Sequence, residues 1–522
     1  SFRADVPVGF GLNVHEIVAS DGMNENSTFC AYYAADEYLP ENRPLDDAVL
    51  LRLGQGGLDD GEPDRPMQSL ADVLRRVVNS AGLRDTIHQA ALAQNPIVPR
   101  ECHVRVLGAC LFSFGAEYTD LRIGGRNTLD LTLVDGGFRA RFVIRNLDVY
   151  ARFLGTLGNR ARIGTDQIVM DLTFDVGLQF NGNPTVSLRN INEVNVARLD
   201  ADFSGFISGF ILELAFNAFE GLIRRTVVNA LQDFLRDNVS RVLEDLLSGV
   251  DIGEISAGFE VPSLFGGEPV ELSVVAGLGR LDFNPQRAVI GLKTRVAGPA
   301  RLAGRSPGIP LPPGTRFYEL PADRTVGGAV MIAVLNQVLH TLWRAGYFDV
   351  GVGGLVANVA GDLPDGAEVF LELPGAPMVA GVDGEATLRV WMGPMVAGVV
   401  YPGLFAEPFR VQLAAELQAT VRLEGERDVV FDGVRVEAIY LALSADTPQR
   451  TREVLEDTLR RVLQGVVDRA LNDGLPELPI PAFVIPPDLA QFDLPAGGSL
   501  GLRRPRLTGS EAAWQLDGDF GE

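Results

Sequence analysis

The sequence predicts an α+β fold made of two similar halves, and three observations support this fold class. Strand-like segments alternate apolar and polar residues without the strand–helix–strand rhythm of parallel sheets, which favours antiparallel sheets with helices on one face. Each half runs in the same order, from an amphipathic helix through strands to a second helix and a last strand. Residues 298–314 carry four prolines in their last eight positions, which excludes a helix or an interior strand there. We therefore expect an N-terminal domain at 1–305, with an acidic insertion at about residues 24–66, and a C-terminal domain at 306–522.

The first half is predicted to begin with a helix at residues 68–94 and to return to a longer helix at about 205–248. Apolar residues recur at helical spacing on one face of each helix, and polar residues such as Glu213, Asn217 and Glu220 follow the other face of the longer one. The apolar positions selected as candidates are Leu70, Val73, Leu74 and Val77 on the first helix and Phe210 and Leu214 on the second.

Three segments alternate clearly enough to predict strands. Residues 128–144 alternate on both sides of an Asp-Gly-Gly turn, which indicates a β-hairpin. Residues 167–180 alternate over their whole length, and residues 409–426 form the clearest strand of the chain.

The second half is predicted to open with a helix of about 20 residues that ends at Gly346 and would be roughly 30 Å long. Asn336, His340 and Arg344 form a polar column, where solvated side chains are expected. One apolar column consists of Val330, Val334, Val338 and Leu342. The last helix, at about residues 451–474, places Leu455, Leu459, Val462, Leu463 and Val466 at helical spacing.

Composition and charge exclude several classes of protein. The 522 residues are 46% hydrophobic and 22% charged, and no window supplies the 18 or more uninterrupted apolar residues of a membrane-spanning helix. The net charge of −23 argues against nucleic acid as a partner and against simple electrostatic docking on anionic lipid headgroups.

The three cysteines, Cys30, Cys102 and Cys110, allow at most one disulfide bridge. Cys102 and Cys110 can pair only if the chain folds back near Gly108, because an unbroken strand would separate them by more than ~20 Å. The sequence leaves the pairing open. The first residue is Ser1 rather than methionine, as expected after removal of a signal peptide or after trimming of the chain, and the sequence does not separate these two origins or reveal a removed anchor.

The residues of a catalytic or metal site are sparse. Four histidines occur, and no second ligand pair lies at zinc-site spacing from Cys102 and His103. A Gly-x-Ser-x-Gly pattern surrounds Ser306, but the next residue is Pro307, which has no N–H for an oxyanion hole. The acidic residues near Asp59 lack the register of a calcium loop, so a solvated loop is expected. We predict no catalytic residue, no metal and no cofactor.

What remains is a large apolar surface organised along helices and strands. It fits either two filled cores or helices that stand apart from the sheets and leave an elongated slot for a lipid, with about 0.8 kcal/mol gained per buried CH₂ group. Pattern alone does not choose between them.

The segment "VLNQVLHTLWRAGYF", residues 334–348, resembles the opening helix of the second domain in the bactericidal/permeability-increasing protein family of the tubular lipid-binding superfamily. The residues that carry this resemblance are Leu335, Asn336, Leu339, Trp343, Ala345 and Gly346. The stretch "ALNDGLPELPIP", residues 470–481, resembles the same family where its last helix ends. The first half matches the family mainly in the order of its elements.

The resemblance implies two domains in an elongated boomerang, each with a highly curved antiparallel sheet wrapped around a long amphipathic helix, and a central sheet between them. It also implies binding or transfer of lipid without bond chemistry, with the apolar positions named above lining the tunnels. The lipopolysaccharide binders of the family use a basic tip, which does not fit a net charge of −23, so lipopolysaccharide neutralisation is not carried over.

The leading hypothesis is a bacterial lipid carrier that acts outside the cytoplasm, in the periplasm or after secretion, with transient membrane contact and no nucleic-acid partner. Its bound lipid would be a phospholipid, a fatty acid or a sterol. The first alternative is a structural or adhesion protein that keeps the fold with filled cores. The second is a lipid-acting hydrolase that would depend on Ser306.

Overall fold

The structure of the chain is a computed structural model. It describes all residues except 1–4, 24, 63–66, 156–159, 204–208, 252–258, 264–267, 303–305, 322–325, 352–367, 401–408, 426–427, 443–448, 473–477, 481 and 493. Within the described part of the chain, no helix is both long and apolar enough to cross a membrane.

The described helices lie in four regions of the chain. They are α1 (Gln55–Leu58), α2 (Leu70–Val78), α3 (Ala81–Leu92), α4 (Gly209–Gly221), α5 (Val228–Ser248), α6 (Ala333–Arg344) and α7 (Gln449–Asn472). Helices α4 and α5 are joined by one π-helical segment, Leu222–Val227, and two 3₁₀ turns occur at Thr315–Phe317 and Pro487–Phe492.

The strands of the first half begin with a two-stranded hairpin and continue into a seven-stranded sheet. The N-terminal strands are β1 (Gly11–Ser20), β2 (Glu25–Ala34), β3 (Glu37–Leu39) and β4 (Leu45–Gly54). The next are β5 (Val98–Val106), β6 (Ala109–Ile123), β7 (Thr128–Val134), β8 (Gly137–Gly155), β9 (Arg160–Leu178), β10 (Pro184–Val196) and β11 (Leu199–Phe203). Strands β5 to β11 form the first sheet, in the order β10-β9-β8-β6-β5, with β7 on β8 and β11 on β9.

The strands of the middle and the second half follow. They are β12 (Val250–Asp251), β13 (Phe259–Val261), β14 (Val270–Phe283), β15 (Arg287–Ala297), β16 (Ile309–Leu311) and β17 (Val326–Met331). Then come β18 (Val350–Gly351), β19 (Glu368–Glu372), β20 (Met378–Val382), β21 (Glu385–Val400), β22 (Phe409–Glu424), β23 (Asp428–Ala442), β24 (Leu478–Pro479), β25 (Ala482–Val484), β26 (Ser499–Gly509) and β27 (Ala513–Gly521).

Most of these strands form two further sheets, while β16 pairs with β3 in a separate two-stranded sheet. The central sheet has nine strands in the order β12-β25-β26-β27-β17-β4-β15-β14-β13. The second sheet has the order β18-β19-β21-β22-β23-β24, with β20 on β21. Every described strand pair is antiparallel, which confirms the α+β class with antiparallel sheets. The boomerang shape stays a prediction.

The clearest strand predictions are confirmed. Residues 128–144 form the hairpin of β7 and β8, and residues 409–424 form β22. In β22, Leu413, Leu417 and Val421 are buried and Gln412 and Thr420 are exposed, because the strand covers a core with one face only.

The helix predicted at 68–94 is wrong as a single element, because the chain breaks between α2 and α3. Asn79 and Ser80 turn their side chains onto the preceding helical turn, where Asn79 donates to Arg75 O at 2.8 Å and Ser80 donates to Val77 O at 2.7 Å. Such local bonds compete with the helical backbone pattern and favour a helix end.

The predicted helix over residues 330–346 is also too long. Val330 lies in β17, which pairs with β4 on one side and with β27 on the other, so sheet pairing prevails over helical spacing in this segment. The helix is α6, with 12 residues and a length of about 18 Å. Its predicted end at Gly346 is confirmed: Gly346 has a φ of +75°, and the Tyr347 N–H donates to Leu342 O at 3.1 Å.

The longer helix predicted at 205–248 is present as α4, the π-helical segment and α5, while residues 205–208 lie outside the described part of the chain. The segment expected as an insertion supplies β4, which lies inside the central sheet between β15 and β17. The domain boundaries at 305 and 306 stay a prediction.

Candidate functional site

Most of the predicted tunnel-lining residues are buried. Leu70, Val73, Leu74, Val77, Val334, Val338, Leu342, Val462 and Leu463 are all at most 7% exposed, and Val330 is equally buried, but in β17. Leu459 of α7 is half-buried. The side chains of Phe210, Leu214, Leu455 and Val466 lie outside the described residues. Their role as a lining stays a prediction.

The residues of α2 and those of α6 and α7 belong to one continuous hydrophobic core, with Val334 as an exception. Val334 packs into a smaller cluster with Leu50 and Met331 on the other side of the central sheet. In the first half, α2 and α3 pack against α5 and against the inner faces of β6 and β7. Val73, Leu74 and Val77 show no solvent-accessible surface there, so their surroundings are filled by side chains.

The inner face of β23 carries apolar residues that are only partly buried. Val434 and Ile439 lie opposite Ala419 and Ala415, whose side chains are fully buried and small. Phe431, Val434 and Ile439 are nevertheless only partly buried, as is Leu459 on the adjacent helix α7. We call these four residues the β23 seam. It is an apolar surface inside the second half that side chains do not fully cover.

The long helices also cover the edges of the two seven-stranded sheets. Glu244 of α5 accepts a hydrogen bond of 2.7 Å from the Val186 N–H of the edge strand β10. Arg460 of α7 donates to Val436 O of β23 at 2.7 Å, and Gln464 donates to Val434 O. Backbone groups of an edge strand require partners, and polar helix residues supply them here.

Two members of the polar column of α6, Asn336 and His340, are buried rather than solvated, which corrects the expectation from the sequence, and Arg344 is partly exposed. Asn336 is fully buried: its Nδ2 donates to Pro310 O and Val379 O at 3.1 and 3.0 Å, and its Oδ1 accepts from the Val379 N–H at 2.8 Å. Gln337, also buried, accepts a bond of 3.2 Å from the Thr294 hydroxyl. The helical pattern could not reveal this, because the partners come from β15, β16 and β20.

His340 is the second buried member of this column and contacts Ser306. Its Nε2 lies 2.7 Å from Ser306 Oγ, and the Gly308 N–H donates to the same hydroxyl at 3.0 Å. Burial lowers the pKa of His340 to about 4, an effect that nearby Arg344 reinforces and Glu41 opposes. The imidazole is therefore neutral at pH 7.

The Ser306–His340 pair lacks two features of a hydrolase site. Glu41 approaches His340 on Nε2, at 3.6 Å, which is the nitrogen that faces the serine, whereas a catalytic triad holds its carboxylate on the other nitrogen. Pro307 offers no N–H to an oxyanion. The pair fastens the proline-rich segment to α6.

Asp59 of the acidic loop is buried rather than solvated, which corrects the expectation for this residue, whereas Glu62 of the same loop is exposed. Asp59 Oδ1 lies 2.6 Å from Arg75 Nη2, and Asp59 Oδ2 accepts from the Leu131 N–H at 2.7 Å. Arg75 also bonds Asp72 at 2.8 Å and donates to Leu129 O at 2.9 Å. Since a cation inside the protein already partners these carboxylates, they form a structural cluster. Among the described residues, no group of three or more His, Cys, Asp or Glu is arranged to hold a metal ion.

The cysteine pairing that the sequence left open is Cys102 with Cys110. The chain folds back at Leu107 and Gly108, both with positive φ, and brings the two Cα atoms to 5.8 Å. Cys30 is exposed and unpaired.

No family model and no curated protein matches this sequence. Among solved structures, the chain is similar to "Crystal structure of lipopolysaccharide binding protein", with 14% identity, a TM-score of 0.42, and coverage of 91% of this chain and 98% of the other. It is also similar to P47 of Clostridium botulinum E1, with 8% identity, a TM-score of 0.29 and coverage of 90% and 98%. A shorter likeness to latherin covers 35% of this chain and 79% of that protein, with 13% identity and a TM-score of 0.20. Because these identities lie under 25% and these TM-scores under 0.5, the likenesses establish neither the family nor the function of this chain.

Proposed function

We propose that this protein binds a lipid by its hydrocarbon chains and does no bond chemistry on it. The observation that carries the proposal is the β23 seam, an inner sheet face whose apolar residues remain partly uncovered. Apolar surface left open inside a protein is surface that a hydrocarbon chain can cover, at about 0.8 kcal/mol per buried CH₂ group. Headgroups would stay near the mouth of the seam, and contact with a membrane would be transient.

Action outside the cytoplasm is part of the same proposal. A structural disulfide such as Cys102–Cys110 persists in oxidising compartments and is rare in the cytosol. Mass spectrometry of the intact protein, isolated with its thiols trapped, tests this directly: we expect one bridge and one free thiol.

The test of lipid binding compares two tryptophan substitutions on the same strand. Val434 belongs to the seam on the inner face of β23. Val430 lies opposite Arg422 on the outer face of the same strand and is partly exposed. We expect Val434→Trp to reduce the uptake of a fluorescent neutral lipid by about tenfold or more, and Val430→Trp to leave it unchanged. Lipid extraction from the purified protein supports this if a lipid is recovered.

A filled core is the alternative, and the full burial of Val73, Leu74 and Val77 favours it for the first half. If the second half is filled as well, the wild-type protein takes up no lipid, and Val434→Trp lowers the free energy of unfolding by about 1–3 kcal/mol through overpacking. Either result contradicts the lipid-binding proposal.

A further inference from the structure

Two cations on β15 have no acidic partner in the described part of the chain. They are Arg295 and Lys293, the only lysine in the sequence. Being two residues apart on a strand, their side chains share one face of the central sheet. On the neighbouring strand β14, Val275 and Gly277 lie directly opposite them, so no carboxylate stands across from either cation.

The other neighbour of β15 does not neutralise them either. Asp47 of β4 is paired with Arg280, whose Nη1 lies 3.2 Å from Asp47 Oδ2. In a chain with a net charge of −23, two adjacent cations that form no ion pair with a described residue make a local positive site in a negative surround.

A cavity of about 620 Å³ lies over this pair. Its walls include Lys293 and Arg295, the β9–β10 turn at residues 181–183, and Ser248 at the end of α5. A Cβ atom at Gly182, where φ is +87°, would lie 4.0 Å from Lys293 Nζ, so the turn stands directly against the ammonium group. A Cβ atom at Gly277 would meet nothing within 4 Å, so the space in front of that residue is open.

The lining of this cavity combines positive charge with apolar surface. Among the described residues, the lining contains amide and hydroxyl groups and no carboxylate. Val275 in its floor is 62% exposed, and Phe180, next to the β9–β10 turn, is fully exposed. An anion alone would leave these apolar side chains uncovered, whereas an anion with a hydrocarbon chain would contact both parts.

We propose that this cavity binds the anionic group of a lipid, a phosphate or a carboxylate. Lys293 supplies a point charge, and Arg295 supplies a planar pair of N–H donors that fits two oxygens of one anion. The hydrocarbon chain lies along Val275 and Phe180. The kind of ligand in this inference, a lipid, rests on the proposed function. The place where the ligand binds does not depend on the β23 seam.

The experiment measures the binding of three probes to the full chain by calorimetry: dodecyl phosphate, dodecyl maltoside and inorganic phosphate. We expect the double variant K293Q/R295Q to bind dodecyl phosphate about 10- to 100-fold more weakly, the range expected when hydrogen bonds to a charged group are lost. Binding of dodecyl maltoside should not change. Arg389→Gln, which removes one exposed arginine from the second sheet, is the matched control and should bind all three probes like the wild type.

A second variant fills the cavity without changing its charge. Gly277→Leu places a side chain in the open space in front of Gly277 and should weaken dodecyl phosphate binding to the same extent while the protein stays folded by circular dichroism. Unchanged binding in both variants would overturn the assignment. Inorganic phosphate bound as tightly as dodecyl phosphate would assign the cavity to a free anion and would also overturn it.

Failure of the proposed function has a different signature. Loss of neutral-lipid uptake in Val434→Trp, together with wild-type dodecyl phosphate binding in K293Q/R295Q, contradicts only the cavity. Dodecyl phosphate binding that depends on Lys293 and Arg295, together with no uptake of neutral lipid by the wild type, contradicts only the seam.

Discussion

Arg75 lies at the centre of a buried charge cluster in which each group depends on the others. It is 5% exposed and contacts Asp59 at 2.6 Å and Asp72 at 2.8 Å. An ion pair of this kind adds little net stability over an apolar replacement of all its members, but removing one member leaves an uncompensated buried charge.

We expect Arg75→Met to lower the free energy of unfolding by about 3–5 kcal/mol, because it leaves two buried carboxylates unpaired. The neighbouring Arg76 is exposed, so Arg76→Met should change stability by less than about 0.5 kcal/mol. Urea unfolding measures both. Equal effects of the two substitutions would contradict the structural role of the cluster.

His340 gives the protein a pH dependence of known sign. Burial lowers its pKa from 6.5 to about 4, so between these pH values the unfolded chain binds a proton that the native protein does not. The free energy of unfolding should therefore fall as the pH falls from 6.5 to 4, by up to about 3 kcal/mol, and the contribution should be constant above 6.5. In His340→Gln this part of the slope should vanish. Urea midpoints at several pH values test it, and an unchanged slope in the variant contradicts it.

The helices that cover sheet edges are the main feature at the scale of elements. Glu244 of α5 meets the edge strand β10, and Arg460 and Gln464 of α7 meet β23. The same device occurs in both halves, although the helix supplies an acceptor in one case and donors in the other. It protects strands whose backbone would otherwise pair with another chain.

We expect Glu244→Ala to destabilise the protein by about 1–3 kcal/mol, because the buried Val186 N–H loses its acceptor. Glu220→Ala is the control, since it removes only a surface pair with Arg224 at 2.7 Å and should change stability by less than about 1 kcal/mol. Thermal unfolding of the two variants should separate them clearly. A loss no larger than that of the control would show that the edge is satisfied in another way.

Alternation and helical spacing correctly predicted those elements that keep one face buried and the other face exposed along their length. Strand β22 and the β7–β8 hairpin each cover a core with one face, so their sequence carries the full signal. The same rules misassigned Val330, because β17 is buried on both faces and its continuous apolar run has no period of its own. They also misassigned His340 and Asp59, because the partners of these residues are distant in sequence and the patterns compare only near neighbours.

The sequence predicted that the candidate site is an apolar surface, but it did not predict where that surface lies. An excess of apolar surface is visible in the composition, but the β23 seam depends on which inward-facing side chains remain uncovered. The small residues opposite the seam, Ala415 and Ala419, read as ordinary members of the apolar face of β22. The cavity at Lys293 depends on a turn more than 100 residues earlier in the chain, which no local pattern connects with β15.

At the scale of the whole molecule, the central sheet joins the halves. Strand β17 pairs with β4 and with β27, and Trp514 of β27, which is 1% exposed, packs edge-on against Phe431 of the second sheet with 6.2 Å between ring centroids. The core formed by the first and second sheets with the helices is continuous across this junction. Loss of packing here should weaken both halves together.

We expect Trp514→Ala to cost about 3–5 kcal/mol and to lower amide protection in β9 and β22 in parallel. Phe317→Ala, at an 89% exposed position, should change neither. Hydrogen exchange followed by mass spectrometry resolves the two sheets. Reduced protection in β22 alone would show that the halves unfold independently.

The pairing of β4 with β15 and β17, which come much later in the chain, has a consequence for biosynthesis. Residues 45–54 emerge from the ribosome long before residues 287–297 and 326–331, which pair with them on either side. At about 5–20 residues per second, translation of the stretch from the end of β4 to the end of β17 takes roughly 15–55 s. Throughout that interval the nascent chain carries an apolar strand without its neighbours, so a holding chaperone is needed most during this window.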